Sequence, residues 1–237
     1  MDWSAIAGGW PSWTSVLETL TTLLPALDLT AAVVFAVTGA LVASRKQMDI
    51  VGFMWLGVVT GVGGGTVRDV LLDLPVFWVH DPTPVAACIV ASAVTYFTAH
   101  LVQSRYRLLL WLDAIGLALV TMAGTAKALD HGAGPIVAVV MGVITAALGG
   151  IIRDVLGHEP SIILRREIYV TASLAGAIAY VALVGGAVSK PTAALAGGTI
   201  AFTVRGLALL RGWSLPTYRS RPGRPAENAG CEGKADP

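Results

Sequence analysis

A chain of 237 residues with 55% hydrophobic and only 13% charged residues, and a mean hydropathy of +0.71, does not suit a soluble domain. Soluble globular chains carry about 25% charged residues. The net charge of +1 says little by itself, no nucleic-acid partner is expected, and two isolated cysteines, Cys88 and Cys231, imply neither a disulfide framework nor a metal site.

Met1–Thr22 contains no Lys or Arg, so it lacks the basic start of a secretory leader and reads as an extracytoplasmic N-terminal segment, residues 1–22. Apolar runs long enough to span, about 20 residues each, follow at roughly 24–44, 50–72, 83–103, 108–129, 134–156, 167–187 and 191–212. The runs are continuous rather than alternating at period two, which argues against a β-barrel. The expected fold is all-α: a polytopic membrane protein with seven transmembrane helices. The tail, residues 214–237, is rich in Pro, Gly and mixed charge and reads as disordered and cytoplasmic.

Eleven Lys and Arg residues lie on one side of this layout: Arg45, Lys46, Arg105, Arg107, Arg165, Arg166, Arg211, Arg219, Arg221, Arg224 and Lys234. Lys190 alone lies in the opposite loops, beside Asp73, Asp81 and Asp130. The positive-inside rule puts the N-terminus outside and the C-terminus in the cytoplasm. Trp78, Trp111 and Trp213 fall near span ends, as interfacial anchors do.

The chain nearly repeats itself at an offset of 85 residues. Asp28 recurs as Asp113, Gly39 as Gly124, Gly57 as Gly142, Thr60 as Thr145, Gly64-Gly65 as Gly149-Gly150, Arg68-Asp69 as Arg153-Asp154 and Pro75 as Pro160. Between 57 and 71, 9 of 15 positions match their partners without a gap, so polar residues recur in register inside apolar runs. Each unit holds three spans. An odd number of crossings inverts the second copy, so residues 23–106 and 107–189 form a 3+3 inverted repeat, and 190–213 is a seventh helix outside it. Inverted repeats build substrate and ion sites at their interface near the midplane.

Spans 1 and 2 turn back near Met48, and residues equidistant from that turn share a depth. Asp28 and Arg68 are each 20 residues away, Gly39 and Gly57 each 9; the second hairpin, turning near Ala133, matches Asp113 with Arg153 and Gly124 with Gly142. A charge at the centre of a span costs roughly 3 kcal/mol on insertion scales, so it needs a partner or water. The candidates are Asp28, Arg68, Asp69, Asp113, Lys127, Arg153, Asp154 and Arg205. The depth match pairs Asp28 with Arg68 and Asp113 with Arg153, one pair toward each face, as register-fixing pairs or as the boundary of a water-filled path. Neighbours on a helix diverge by about 100°, so Arg68 and Asp69 are expected to have separate environments. Lys127 matches Val42 in the first unit. It either snorkels to the outer face or stands as an asymmetric charge that responds to voltage.

Gly63-Gly64-Gly65 in span 2 and Gly149-Gly150 in span 5 predict a kink or break, because each glycine weakens a helix by about 1 kcal/mol. Unwound backbone at that depth must be buried or line water, where carbonyls and the hydroxyls of Thr60, Thr66 and Thr145 would contact a cation. Gly57, Gly61 and Gly65, answered by Gly142, Ala146 and Gly150, form a small-residue ladder suited to close helix packing. GVGGGT is not a phosphate loop, since it lacks the following Lys-Ser/Thr and sits inside a span. His80, His100, His131 and His158 have no metal-ligand spacing, and no catalytic constellation is present, so no enzyme activity and no cofactor or metal is expected.

The paired G-G-x-x-R-D-V-L segments, Gly64–Leu71 and Gly149–Leu156, on spans 2 and 5 of a 3+3+1 layout, resemble the prokaryotic trimeric intracellular cation (TRIC) channel family over about residues 23–213. Bacterial members of that family have also been labelled glycine transporters. The resemblance implies a homotrimer in the bacterial inner membrane with one pore per subunit, lined by glycine-kinked spans 2 and 5 and permeable to K⁺ and Na⁺, with lipid as a further ligand. By that likeness Gly63, Gly64, Gly65, Gly149 and Gly150 are the kink glycines, and Arg68, Asp69, Arg153 and Asp154 the accompanying charges. Animal members carry a pore lysine on span 4 linked to voltage gating, and Lys127 lies in that span; Leu148 stands where the first copy has Gly63. The rival reading of the same inverted repeat is a secondary transporter for a small substrate such as glycine.

Overall fold

The computed structural model describes residues 13–101, 104–159 and 168–214, with side chains from residue 26 onward. Most of the 1–22 segment, Arg165, Arg166 and nearly all of the 214–237 tail, including Cys231, lie outside the described residues. The helices are α1 (Trp13–Arg45), α2 (Ile50–Leu71), a single turn α3 (Phe77–His80), α4 (Thr83–Thr98) with a 3-10 extension to Leu101, α5 (Arg105–Asp130), α6 (Pro135–Leu156), α7 (Val170–Gly185) and α8 (Lys190–Arg211). Six of them are long and apolar enough to cross a membrane, and α7, of 16 residues, is apolar but shorter. Helix α1 starts ten residues before the expected boundary at 23, and its membrane-length apolar part is Ala26–Arg45.

Local signals place the helix ends. Asp49 caps α2 by accepting from the Gly52 amide at 2.7 Å. Pro135 and Pro191 open α6 and α8 at positions where a missing amide costs nothing, and Gly212, with φ +64°, closes α8 in the left-handed region. Between α3 and α4, outside the spans, hydrogen bonds from Thr83 hold the Asp81 carboxyl below its ordinary range.

The two hairpins, α1–α2 and α5–α6, are built alike. In the first, Gly39 and Gly57 face each other: a Cβ on Gly39 would lie 3.0 Å from the Gly57 Cα. In the second, a Cβ on Gly124 would lie 3.1 Å from the Gly142 Cα. Helix α4 packs on α1 and α2, α7 on α5 and α6, and the units meet through α1 on α5 and α2 on α6. Helix α8 packs on α5 and α7. Contacts across the repeat interface are reciprocal: Gly64 packs on the Thr145 carbonyl and Gly149 on the Thr60 carbonyl, and these residues are repeat equivalents. Reciprocity of this kind places a two-fold axis between Gly64 and Gly149, so the fold is a 3+3 inverted repeat with an added helix.

The distribution of side chains is that of a membrane protein. The largest fully buried side chains are Arg68, Arg153 and Arg205, whereas Ile136 is 80% exposed and Trp55, Leu195 and Leu210 face outward. Hydrocarbon exerts no hydrophobic penalty on such a surface, and the interior is held by packing and polar bonds instead.

Candidate functional site

At the end of α2, the Arg68 fork lies on Asp28 of α1, with Nη1 donating to Oδ1 at 2.8 Å and Nη2 to Oδ2 at 3.1 Å. A bidentate guanidinium–carboxylate pair is among the stronger geometries available to a buried charge. Its third edge, Nε, donates to Asp69 Oδ1 at 2.8 Å. The expectation of separate environments for Arg68 and Asp69 is thereby corrected. The helix separates their Cβ atoms by about 100°, but the arginine stem is long enough to swing its Nε edge back to the next residue while its fork reaches the neighbouring helix.

Asp69 also accepts from Lys127 Nζ of α5 at 2.9 Å and from the Phe77 amide at 3.0 Å. Lys127 therefore does not snorkel to the outer face; it crosses the repeat interface to a fully buried carboxylate. The turn α3 closes this end. Trp78 Nε1 donates to Thr66 Oγ1 at 2.8 Å, and the Phe77 ring, 5.9 Å from the Arg68 Cζ, occupies space left by the missing side chain of Gly65. Trp78, expected as an interfacial anchor, is half-buried against α2.

At the end of α6 the same chemistry recurs with a different neighbourhood. Arg153 Nη1 donates to Asp113 Oδ1 at 2.8 Å and to Thr38 Oγ1 of α1 at 3.2 Å, and its Nε donates to Asp154 Oδ1 at 2.9 Å. Tyr169 lies beside this cluster, its hydroxyl donating to the Ala146 carbonyl at 3.4 Å. Asp113, Arg153 and Asp154 are all buried. The two clusters lie at opposite faces, because α1 runs from Asp28 beside the first to Arg45, which pairs with Glu159 just beyond the second. Thr38 and Tyr169 escaped the sequence reading. Their repeat equivalents are Ala123 and Pro84, so the register that exposed the other polar residues is silent for them.

Between the clusters α2 and α6 cross at Gly64 and Gly149. Both helices run unbroken through their glycines, from Ile50 to Leu71 and from Pro135 to Leu156, so the expected helix break at Gly63-Gly64-Gly65 and Gly149-Gly150 is corrected. The glycines serve close approach. A Cβ on Gly64 would collide with the Thr145 carbonyl oxygen, and one on Gly149 would lie 3.1 Å from the Thr60 carbonyl oxygen. Gly63 makes room for Ile152, and Gly150 faces the Tyr169 hydroxyl. The hydroxyls of Thr60, Thr66 and Thr145 donate to carbonyls of their own helices, at Leu56, Val62 and Met141. Unbroken bonding also removes the free carbonyls that would have met a cation.

An all-helical inverted repeat of membrane-length helices, with a buried Arg-Asp cluster at each face and paired glycines at its centre, defines a polytopic membrane protein. The family described as "Glycine transporter" matches the chain twice, over residues 25–100 and 110–185, one match per repeat unit. The UPF0126 inner membrane protein YadS of Escherichia coli K12 is 45% identical over 198 residues, 81% of this chain and 94% of that protein. A solved structure of the TRIC trimeric intracellular cation channel orthologue from Rhodobacter sphaeroides is 54% identical, with a TM-score of 0.79 over 81% of this chain and all of that one. A second, from work on conductance through TRIC cation channels, is 31% identical, with a TM-score of 0.73 over 84% of this chain and 98% of that one. The chain belongs to the prokaryotic TRIC channel family.

Proposed function

We propose that this protein is a passive channel for monovalent cations, K⁺ and Na⁺, assembled as a homotrimer in the bacterial inner membrane with one path per subunit between α2 and α6. The observation that carries the reading is the 54% identity to the Rhodobacter sphaeroides channel orthologue across the whole of that chain. The charge clusters and the crossing suit the role. Each end of the α2–α6 pair holds a cluster of paired charges that shapes the field along a path between them. In the conformation described, the crossing at Gly64 and Gly149 is closed by backbone contact, so conduction requires α2 and α6 to separate there. The basic loops at Arg45, Lys46, Arg105 and Arg107 favour a cytoplasmic placement for that face and an outward N-terminus.

Planar-bilayer recording of the purified protein in KCl should give unitary current steps carrying about 10⁶ or more ions per second. A transporter that moves between two states in microseconds to milliseconds cannot sustain that rate. Saturable glycine uptake into liposomes without unitary steps would replace the channel reading by the secondary-transporter reading.

A further inference from the structure

Among the described residues the fully buried arginines are Arg68, Arg153 and Arg205. The first two are repeat equivalents, whereas Arg205 lies on α8, which has no counterpart in the repeat. The duplicated residues alone leave each cluster unbalanced: two carboxylates and one guanidinium sum to a formal charge of −1. At the first cluster Lys127 supplies the missing positive charge through its bond to Asp69. At the second, the position equivalent to Lys127 is Val42, which is buried and apolar.

Arg205 approaches the second cluster from a different helix, through Tyr169. Its Cζ lies 5.2 Å from the centre of the Tyr169 ring, and its Nη1 donates to the Ile168 carbonyl at 3.5 Å. A Cβ on Gly150 would lie 3.3 Å from the Tyr169 hydroxyl, 3.7 Å from Arg153 Nη2 and 3.8 Å from Asp113 Oδ1, so these three groups surround one point. With Arg205 counted, the second cluster reads Asp113 and Asp154 against Arg153 and Arg205, and its formal charge is zero.

We propose that Arg205 is the charge-balancing residue of the second cluster, as Lys127 is of the first, and that these two cations set the electrostatic balance of the two ends of the ion path. Their placement gives the proposal its direction. Lys127 lies near the end of α5 where Asp130 pairs with Lys190, and Arg205 lies on α8 toward the opposite end, over the Tyr169 ring. Helix α8 thus does for one face what a residue of the second repeat does for the other. The consequence for current rests on the channel reading above; the consequence for stability does not.

A thermal-unfolding cycle in detergent tests the balance. Arg205→Gln should lower the unfolding midpoint by about 6–20 °C, the effect expected when a buried charge loses its partner, and Arg205→Lys should retain most of the stability. Adding Asp113→Asn to Arg205→Gln should recover half or more of the loss by restoring neutrality, whereas Asp69→Asn, at the other cluster, should recover none. Losses that add without coupling overturn the charge-balancing role. In planar bilayers, an uncompensated negative charge at one end of the path raises the local cation concentration at that end. Lys127→Gln and Arg205→Gln should therefore rectify K⁺ current in opposite senses. Rectification of the same sense, or none in either variant, overturns the placement at opposite ends. Absence of unitary current in the unaltered protein removes the channel reading and leaves the thermal cycle as the test of Arg205.

Discussion

Replacing Arg153 by Met should cost about 3–5 kcal/mol of stability, the loss expected when one partner of a buried pair is removed. Asp113 and Asp154 would both remain in the interior, at 0% and 3% exposure, with their principal donor gone. Thr38 would lose its cross-repeat partner at the same time. The equivalent change, Arg68→Met, removes the same guanidinium from a cluster of the same formal charge, yet it should cost less. The side chains of Asp28 and Lys127 are 22% and 21% exposed, so water can take part of the load there. Unfolding of the two variants in one detergent, followed by tryptophan fluorescence, measures the order. Equal losses, or a larger loss at Arg68, would mean that solvent access does not govern the difference between the clusters.

The Asp28–Arg68 and Asp113–Arg153 pairs were legible in the sequence because depth in an antiparallel hairpin follows from counting residues out from its turn. Rotation about the helix was not legible in the same way. The count places Arg68 and Asp69 on diverging faces, but the reach of an arginine stem undoes that separation. Nor does any count within one unit place Lys127 against Asp69, since that bond crosses from one repeat to the other and depends on how the units dock. The added helix raises the same difficulty: Arg205 stands out as a charge in a span, but nothing periodic ties it to the second cluster.

At the glycines a genuine local weakness of the helix is outweighed by the cost of opening it. Three glycines weaken a helix by about 3 kcal/mol in total. Opening the helix within lipid would strand several carbonyl and amide groups, each costing several kcal/mol. Continuous hydrogen bonding is the cheaper state, and the glycines are used where two backbones must touch. The small-residue ladder from Gly57 to Gly65 is the sequence signature of that use, and Gly57 and Gly61 both lie at helix contacts, on the Ala36 and Ala32 carbonyls of α1.

Gly64→Ala should be far more disruptive than Gly149→Ala, although the two residues are repeat equivalents. The added methyl at Gly64 would run into the Thr145 carbonyl oxygen, which is α6 backbone and has no rotamer to escape into. At Gly149 the nearest atoms are the Thr60 carbonyl oxygen at 3.1 Å and the Phe35 ring at 3.6 Å, a gap that a shift of a few tenths of an ångström relieves. Overpacking of a tight interface costs about 1–3 kcal/mol, and the Gly64 variant should fall at the upper end or beyond. The clash can be relieved only by moving α2 away from α6, so folded Gly64→Ala protein should leak K⁺ from liposomes faster than the unaltered protein. Gly142→Ala provides the contrast: its methyl would meet the Thr125 hydroxyl and the Thr121 carbonyl within one hairpin, so stability should fall with no gain in leak. The measurement is K⁺ efflux per folded protein, with size-exclusion profiles to establish the folded amount. Lower stability with unchanged efflux in Gly64→Ala would leave the crossing as a packing contact and move the seal elsewhere along α2 and α6.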